Sequence, residues 1–311
     1  MSDKQEVNNK VRLQEIDESA EHQRLDNYLI KHLKGVPKSR IYRIVRKGEV
    51  RVNKGRKNCD YKLQIGDIVR IPPVRMAAEK ILVIDDKLKQ LMKDAIIYED
   101  HGLLIINKPA KLAVHSGSGI AIGVIDIVRQ VYLSPVELVH RLDRATSGVL
   151  LIAKKRSVLK DLNRQIAGGE MEKRYTAVVS NHWAKKIHTI DAPLLNNSRA
   201  TVVDSNGKEA ISHFHPLKNF SIGDDGFSVV DVHIETGRTH QIRAHALHAE
   251  HPVIGDEKYG DHELNDRLKK YGLNRLFLHA QKLTFFNPST NKTQTISAPL
   301  SKELQEFLDN N

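Results

Sequence analysis

Glu137-Leu-Val-His-Arg-Leu-Asp-Arg-Ala-Thr-Ser-Gly-Val-Leu-Leu-Ile152 sets six polar side chains, His140, Arg141, Asp143, Arg144, Thr146 and Ser147, ahead of an apolar run. The run Val149–Ala153 reads as a strand, and Gly148 before it as a tight turn. Arg141 and Arg144 flank Asp143, and nearby cations favour the charged form of an acid. An ionised carboxylate held at a strand end can act as nucleophile or base. The same residues also describe a salt-bridged surface turn, so the rest of the chain has to decide between the two.

Strand candidates recur around this segment: Leu103–Asn107, Tyr175–Ser180, Ser228–Ile234, Gln281–Phe286 and Thr295–Ala298. Helix candidates are fewer, namely Arg156–Ile166, Thr239–His248 and Lys302–Leu308. Many strands with scattered helices predict an α+β domain over residues 96–311 with a mixed or antiparallel sheet. Two further stretches are denser in polar groups than simple loops. Glu172-Lys-Arg-Tyr-Thr-Ala-Val-Val-Ser180 places Tyr175 at the start of a strand. Gly237-Arg-Thr-His-Gln-Ile-Arg-Ala-His245 opens a helix, whose N-terminus with Arg238 and Arg243 suits a phosphate or a carboxylate.

Upstream, the charge is partitioned. The chain carries +11 over 311 residues, and residues 24–75 hold 15 Lys and Arg against 4 Asp and Glu, so this segment accounts for the whole excess. It reads as two short helices, Asp26–Leu33 and Pro37–Lys47, followed by two strands, Glu49–Asn53 and Asp67–Ile71. On the second helix, Arg40, Arg43 and Lys47 share a face opposite Ile41, Ile44 and Val45. Lys38, Arg40, Arg43, Arg46, Lys47, Arg51 and Lys54 are the candidate nucleic-acid contacts, because so dense a charge suits a polyanion. Residues 1–20 are expected to be flexible. Residues 76–95 are expected to form a linker or bridging helix between a module at 21–75 and the larger domain.

Several classes are excluded. The single cysteine, Cys59, rules out a disulfide framework and a cysteine-ligated zinc. There is no phosphate loop of the G-x-x-x-x-G-K-[ST] type, no G-x-S-x-G elbow and no H-E-x-x-H. Gly117-Ser-Gly119 lacks the third glycine of a dinucleotide loop, since Ile122 stands there. His240, His245, His248 and His251 are read as ordinary helix or RNA-facing residues, so no metal and no cofactor is expected. The polar start and the shortness of the longest apolar run predict a soluble, cytoplasmic protein without membrane contact.

His140-Arg-Leu-Asp-Arg-Ala-Thr-Ser-Gly148 resembles the signature of the RluA family of pseudouridine synthases. Leu103-Leu-Ile-Ile-Asn-Lys-Pro109 with Val114-His115, Lys173-Arg-Tyr175, Gly237-Arg-Thr-His-Gln-Ile-Arg243 and Leu276-Phe-Leu-His-Ala280 match further family motifs in the family's order. The segment 24–75 resembles the small αL RNA-binding module of ribosomal-protein-S-four type that precedes this catalytic domain in several members. The resemblance implies catalysis by Asp143 on a flipped-out uridine, with Arg243 as its ion-pair partner and Tyr175 stacking on the base and implicated in proton removal. It implies base contact by Leu278 and substrate contacts by His140 and Arg238, with Arg141 filling the gap left by the extruded nucleotide. Large-subunit (23S) ribosomal RNA or its assembly intermediates are the implied bacterial substrate, and a monomer the expected state. A synthase acting on transfer RNA, a non-catalytic ribosome-associated RNA binder and a glycosidic hydrolase are the alternatives.

Overall fold

The computed structural model describes residues 7–8, 11–18, 20–33, 35–75, 83–117, 119–184, 186, 188–197 and 200–311. The chain divides into two compact units, Met1–Val83 and Ile84–Asn311. Residues 1–6, 9–10 and 19 of the expected flexible start, and 76–82 of the expected linker, lie outside the described residues.

The first unit contains β1 (Val7–Asn8), β2 (Arg12–Glu15), α1 (Leu25–His32), α2 (Lys38–Arg46), β3 (Arg51–Val52), β4 (Ile68–Ile71) and β5 (Val74–Arg75). Leu25, Tyr28 and Leu29 of α1 and Ile41, Ile44 and Val45 of α2 share one core with Val52, Val69 and Ile71 of the sheet. Gly48, at φ 70°, follows α2 in the left-handed conformation that ends helices cheaply only at glycine. The strand β2 falls within the stretch expected to be flexible. It pairs antiparallel with β4, from Arg12 opposite Ile71 to Glu15 opposite Ile68. Its four residues alternate between half-buried and exposed, too weak an apolar signal to be read from sequence.

The second unit begins with α3 (Asp86–Asp94), β6 (Ile96–Glu99), β7 (Leu103–Lys108), α4 (Val124–Tyr132), β8 (Glu137–Leu138) and β9 (Ser147–Ala153). It continues with α5 (Arg156–Ala167), β10 (Glu172–Ser180), β11 (His188–Asp191), β12 (Leu194–Asn196), β13 (Thr201–Val203), β14 (Ile211–Ile222) and β15 (Asp225–Ile234). It ends with α6 (Gln241–His248), α7 (His262–Lys269), β16 (Leu278–Asn287), β17 (Lys292–Ser297) and α8 (Lys302–Asn310). The helix α3 lies in the stretch expected to be a linker, yet it packs beside α4 within this unit.

Ten strands form one mixed sheet in the order β11-β14-β15-β10-β16-β9-β7-β6, with β17 on β16 and β8 on β9. The pair β9 and β16 is parallel, through Ser147 opposite His279 and Gly148 opposite Ala280. The other pairs are antiparallel. Two antiparallel wings therefore meet at a short parallel seam. All seven residues of β9 are buried, as its continuous apolar run requires for a central strand. Leu151 and Ala153 pack with Val158 and Leu162 of α5.

Gly148 is not the tight turn expected from sequence. It lies inside β9 at φ 114°, and a Cβ there would run into the backbone of Ala280. Glycine is needed for the close approach of two strands, not for a change of direction. Also unread in the sequence were α4, α7 and β14, the last because Pro216 interrupts its pattern where the register with β15 shifts.

Gly148→Ala should destabilise the fold well beyond the roughly 1–3 kcal/mol of an unfavourable backbone conformation. Gly169→Ala, at φ 70° with open space around its Cβ position, isolates that conformational cost. Urea denaturation midpoints compare the two, and equal losses would remove the steric role of Gly148.

Candidate active site

Asp143 precedes β9 in a turn closed by Thr146 N donating to Asp143 O at 3.2 Å. The turn is held from behind. Lys108, fully buried at the end of β7, donates to the carbonyls of Pro109, Leu112 and Arg144 at 2.8, 2.9 and 3.4 Å. Burial and the neighbouring Arg275 push its ammonium down to about 7. Three carbonyl acceptors nonetheless match the three N–H donors that only the charged form has.

Next to it, Ser147 Oγ lies 2.8 Å from His279 Nδ1 and accepts from Arg275 Nη2 at 2.8 Å. His279 Nε2 faces the Ala298 carbonyl at 3.1 Å. A carbonyl only accepts, so Nε2 carries the ring proton and Nδ1 accepts from the serine hydroxyl. Burial pushes His279 down to about 4, which keeps the ring neutral and the assignment stable. This chain of bonds ties the start of β9, just after the Asp143 turn, to β16 across the seam.

The Asp143 side chain is 21% exposed and faces a cavity of about 570 Å³ of open space. Arg141, Tyr175, Arg238, Arg243 and Leu278 also line this cavity. The flanking cations expected to hold Asp143 do not do so. Arg144 Nε donates to the Lys111 carbonyl at 3.1 Å, and Arg141 is exposed at the rim. Asp143 Oδ2 instead meets Arg243 Nη1 at 3.4 Å and His240 Nε2 at 3.7 Å.

Arg243 is anchored elsewhere. Its Nε and Nη2 donate to the two oxygens of Asp256 at 2.6 and 2.7 Å, a fork-to-fork pairing with a side chain that has no exposed surface. Asp256 Oδ1 also accepts from the amides of Lys258 and Tyr259 at 2.9 and 3.1 Å. The guanidinium lies 4.8 Å from the centre of the Tyr259 ring. With two donors committed to Asp256, Nη1 is the group left pointing at Asp143.

His240 occupies the residue before α6 with φ 53°, a left-handed conformation that delays the helix start to Gln241. A non-glycine residue there stores strain, as residues at functional sites often do. Its Nδ1 lies 2.8 Å from the Tyr259 hydroxyl, which accepts from Thr201 N at 2.9 Å. Donation of the phenolic proton to Nδ1 leaves Nε2–H facing Asp143. Burial keeps His240 below its ordinary value, against the opposing pull of the Asp143 charge, so a neutral imidazole faces the carboxylate.

Tyr175 stands at a bulge. Between Arg174 opposite Lys282 and Thr176 opposite His279, two residues of β16 oppose the single Tyr175. Such a bulge re-aims a side chain, here into the cavity. Burial, then the Asp143 charge, push its hydroxyl well above the ordinary tyrosine value, so it rests as a neutral phenol. Leu278 is both a core residue and part of the cavity wall. Arg238 Nε donates to the Glu209 carbonyl at 2.8 Å.

His140 stands apart. Its Nε2 accepts from Leu151 N at 3.1 Å, burial pushes it down to about 4, and it lines a neighbouring cavity rather than that of Asp143. Of the histidines grouped in sequence with His240, two point elsewhere. His245 bonds Ser212 and the Ala192 carbonyl, and His251 the Ser180 carbonyl.

In the first unit, Lys38, Arg43, Arg46, Lys47 and Lys54 are exposed, and Arg40 is half-buried. Arg51 turns back to the Gly48 carbonyl at 2.9 Å. Asp256 and Tyr259 were missed in the sequence because nothing local marks them. Lys108 stood inside a quoted motif without an assigned role, and His240, read as an ordinary helix or RNA-facing residue, instead precedes α6 and faces Asp143.

Comparison with known proteins places this fold among RNA-modifying enzymes that carry an S4 domain. The S4 domain profile matches residues 23–69, and that of RNA pseudouridylate synthase matches residues 102–248. Ribosomal large subunit pseudouridine synthase C of Yersinia pestis is 48% identical over 92% of this chain and 91% of its own. The protein of the same name from Escherichia coli K12 is 46% identical over 92% of each chain. The solved structure of human RNA Pseudouridylate Synthase Domain Containing 4 shares the fold, with a TM-score of 0.60 at 22% identity over 72% of this chain and 96% of that one. The chain belongs to the RNA pseudouridylate synthase family and is an isomerase.

Asp256→Asn should cost about 3–5 kcal/mol of stability, because it leaves a buried guanidinium undercompensated. It should also lower the rate of pseudouridine formation, since Arg243 is then free to turn. Denaturant melts and a turnover assay check both, and unchanged turnover would detach Asp256 from the site.

Proposed function

We propose that this enzyme converts uridines of bacterial 23S ribosomal RNA to pseudouridine in the cytoplasm, with Asp143 as the catalytic carboxylate acting on a flipped-out base. One observation carries the reading. A partly buried carboxylate faces an anchored arginine at 3.4 Å in a cavity also lined by Tyr175 and Leu278. The names of its bacterial relatives support the choice of RNA.

The reaction breaks the C1′–N1 bond, turns the uracil, forms C1′–C5, loses the proton from C5 and gains one at N1. Atoms balance without a co-reactant. A charged carboxylate is required whether it adds to the ribose, adds to the ring or takes a ribose proton. Arg243 compensates its desolvation. Tyr175 offers an aromatic face for the extruded base and Leu278 an apolar contact, while Arg141 at the rim fills the vacated stack. As a neutral phenol, Tyr175 takes up the C5 proton only after losing its own.

RNA tritiated at uridine C5 should release tritium with the wild type and none above background with Asp143→Asn, which keeps the shape and removes the charge. Release by the variant at the wild-type rate would remove the assignment, and free uracil as product would indicate hydrolysis.

The exposed cations of α2 and Lys54 support docking through the first unit. Replacing Lys38, Arg43, Arg46 and Lys47 by Ser should weaken RNA binding and flatten its salt dependence, by about 0.7–0.9 in log–log slope per lost phosphate contact. An unchanged slope in a filter-binding titration would place the docking surface elsewhere.

A further inference from the structure

A second cavity adjoins that of Asp143, and Arg141, Tyr175, Ile234 and Gly237 line both. It holds about 830 Å³ of open space over an apolar floor that includes Val149, Met171 and Leu283. Arg141, Lys173 and Lys282 stand around it. Arg174, also in its wall, is already paired with Glu172 and Asp231 at 2.6 Å each. Among the described residues no carboxylate lines the cavity.

The chemistry of this wall is that of a nucleotide site. Its apolar floor and aromatic side accept a base, and its cationic edge accepts the phosphate that follows. Continuity decides the occupant. A strand that delivers one uridine to Asp143 carries a covalent neighbour one phosphodiester away, and Tyr175 and Arg141 form the partition between the two spaces. We propose that this cavity receives the unstacked base of the nucleotide directly flanking the target uridine. The proposal rests on the uridine-extrusion reading above, and it assigns part of the choice of target to a base that does not react.

The experiment uses the full chain, wild type and Ile166→Trp. Ile166 lines this cavity from α5 and is not part of the Asp143 cavity. The substrates are a target RNA intact or abasic at the 5′ or the 3′ flanking position. One abasic RNA should raise the wild-type KM about tenfold, the order of losing one base contact. Ile166→Trp should raise KM about tenfold on intact RNA and then ignore the abasic change. A variant that still discriminates as the wild type does, or a wild type indifferent to both abasic RNAs, overturns the proposal.

Exposed Lys282→Ser guards against misfolding of the tryptophan variant. It should raise KM and flatten its salt dependence, and no change in either would sink the cationic edge. 2-Aminopurine at the flanking position should brighten on binding to the wild type and stay dim with Ile166→Trp. That signal needs no turnover. Brightening without tritium release would defeat the assignment of Asp143 and leave the cavity standing, whereas tritium release without brightening would do the reverse.

Discussion

The guanidinium of Arg243 serves two carboxylates of unequal standing. Asp256, with no exposed surface, takes two of its donors in a planar fork, and two backbone amides hold that carboxylate in turn. Asp143 takes one donor end-on and at longer range. The tight pair fixes the arginine and leaves the loose one at longer range. An arginine balanced by Asp143 alone would keep its rotamer freedom and lose orientation whenever substrate displaced the contact. Tyr259 extends the arrangement, with its ring beside the guanidinium and its hydroxyl on His240, so the second group facing Asp143 is set by the same anchor. Pre-positioned dipoles of this kind cost no reorganisation when charge shifts during reaction.

The sheet explains why these groups meet. Asp143 enters from the turn before β9, Leu278 from β16 and Tyr175 from β10, and these three strands are neighbours at the centre of the sheet. The seam between β9 and β16 is only two residue pairs long, too little backbone bonding to hold alone. The buried chain from Arg275 through Ser147 and His279 to Ala298 adds side-chain bonds where the ladder is short. The bulge opposite Tyr175, at Ala280 and Gln281, overlaps the seam at Ala280, so the irregularity that aims the ring and the close approach at Gly148 belong to one stretch of β16.

What was legible in the sequence follows from locality. Apolar runs such as Leu103–Asn107 and Val149–Ala153 showed as strands, and the basic face of α2 stood out against Ile41, Ile44 and Val45. The wall residues Asp143, Tyr175, Arg243 and Leu278 came from motifs, and the structure brings them to one cavity. Of the charge partners, the resemblance named Arg243, which the structure places 3.4 Å from Asp143, but the flanking residues themselves pointed elsewhere. Sequence neighbours Arg141 and Arg144 looked like the counterions of Asp143, but a turn points adjacent side chains in different directions. The groups that face it come from 97 and 100 residues further along the chain. Asp256 was invisible for the same reason, since its importance lies in tertiary pairing and not in its flanks. Gly148 was read as a turn because glycine marks both sharp turns and close backbone approach, and spacing alone does not separate them.

The seam also bears on synthesis of the chain. Residues 103–153 can form the β7–β9 ladder, and residues 172–234 the β10–β15 ladder, as soon as each emerges from the ribosome. The strand that joins the two wings starts only at Leu278. A nascent chain ending before it already carries Asp143, Tyr175 and Arg243, yet has no strand to bring them to one place. Until the chain has grown through β16, the two wings therefore lack the strand that lies between them.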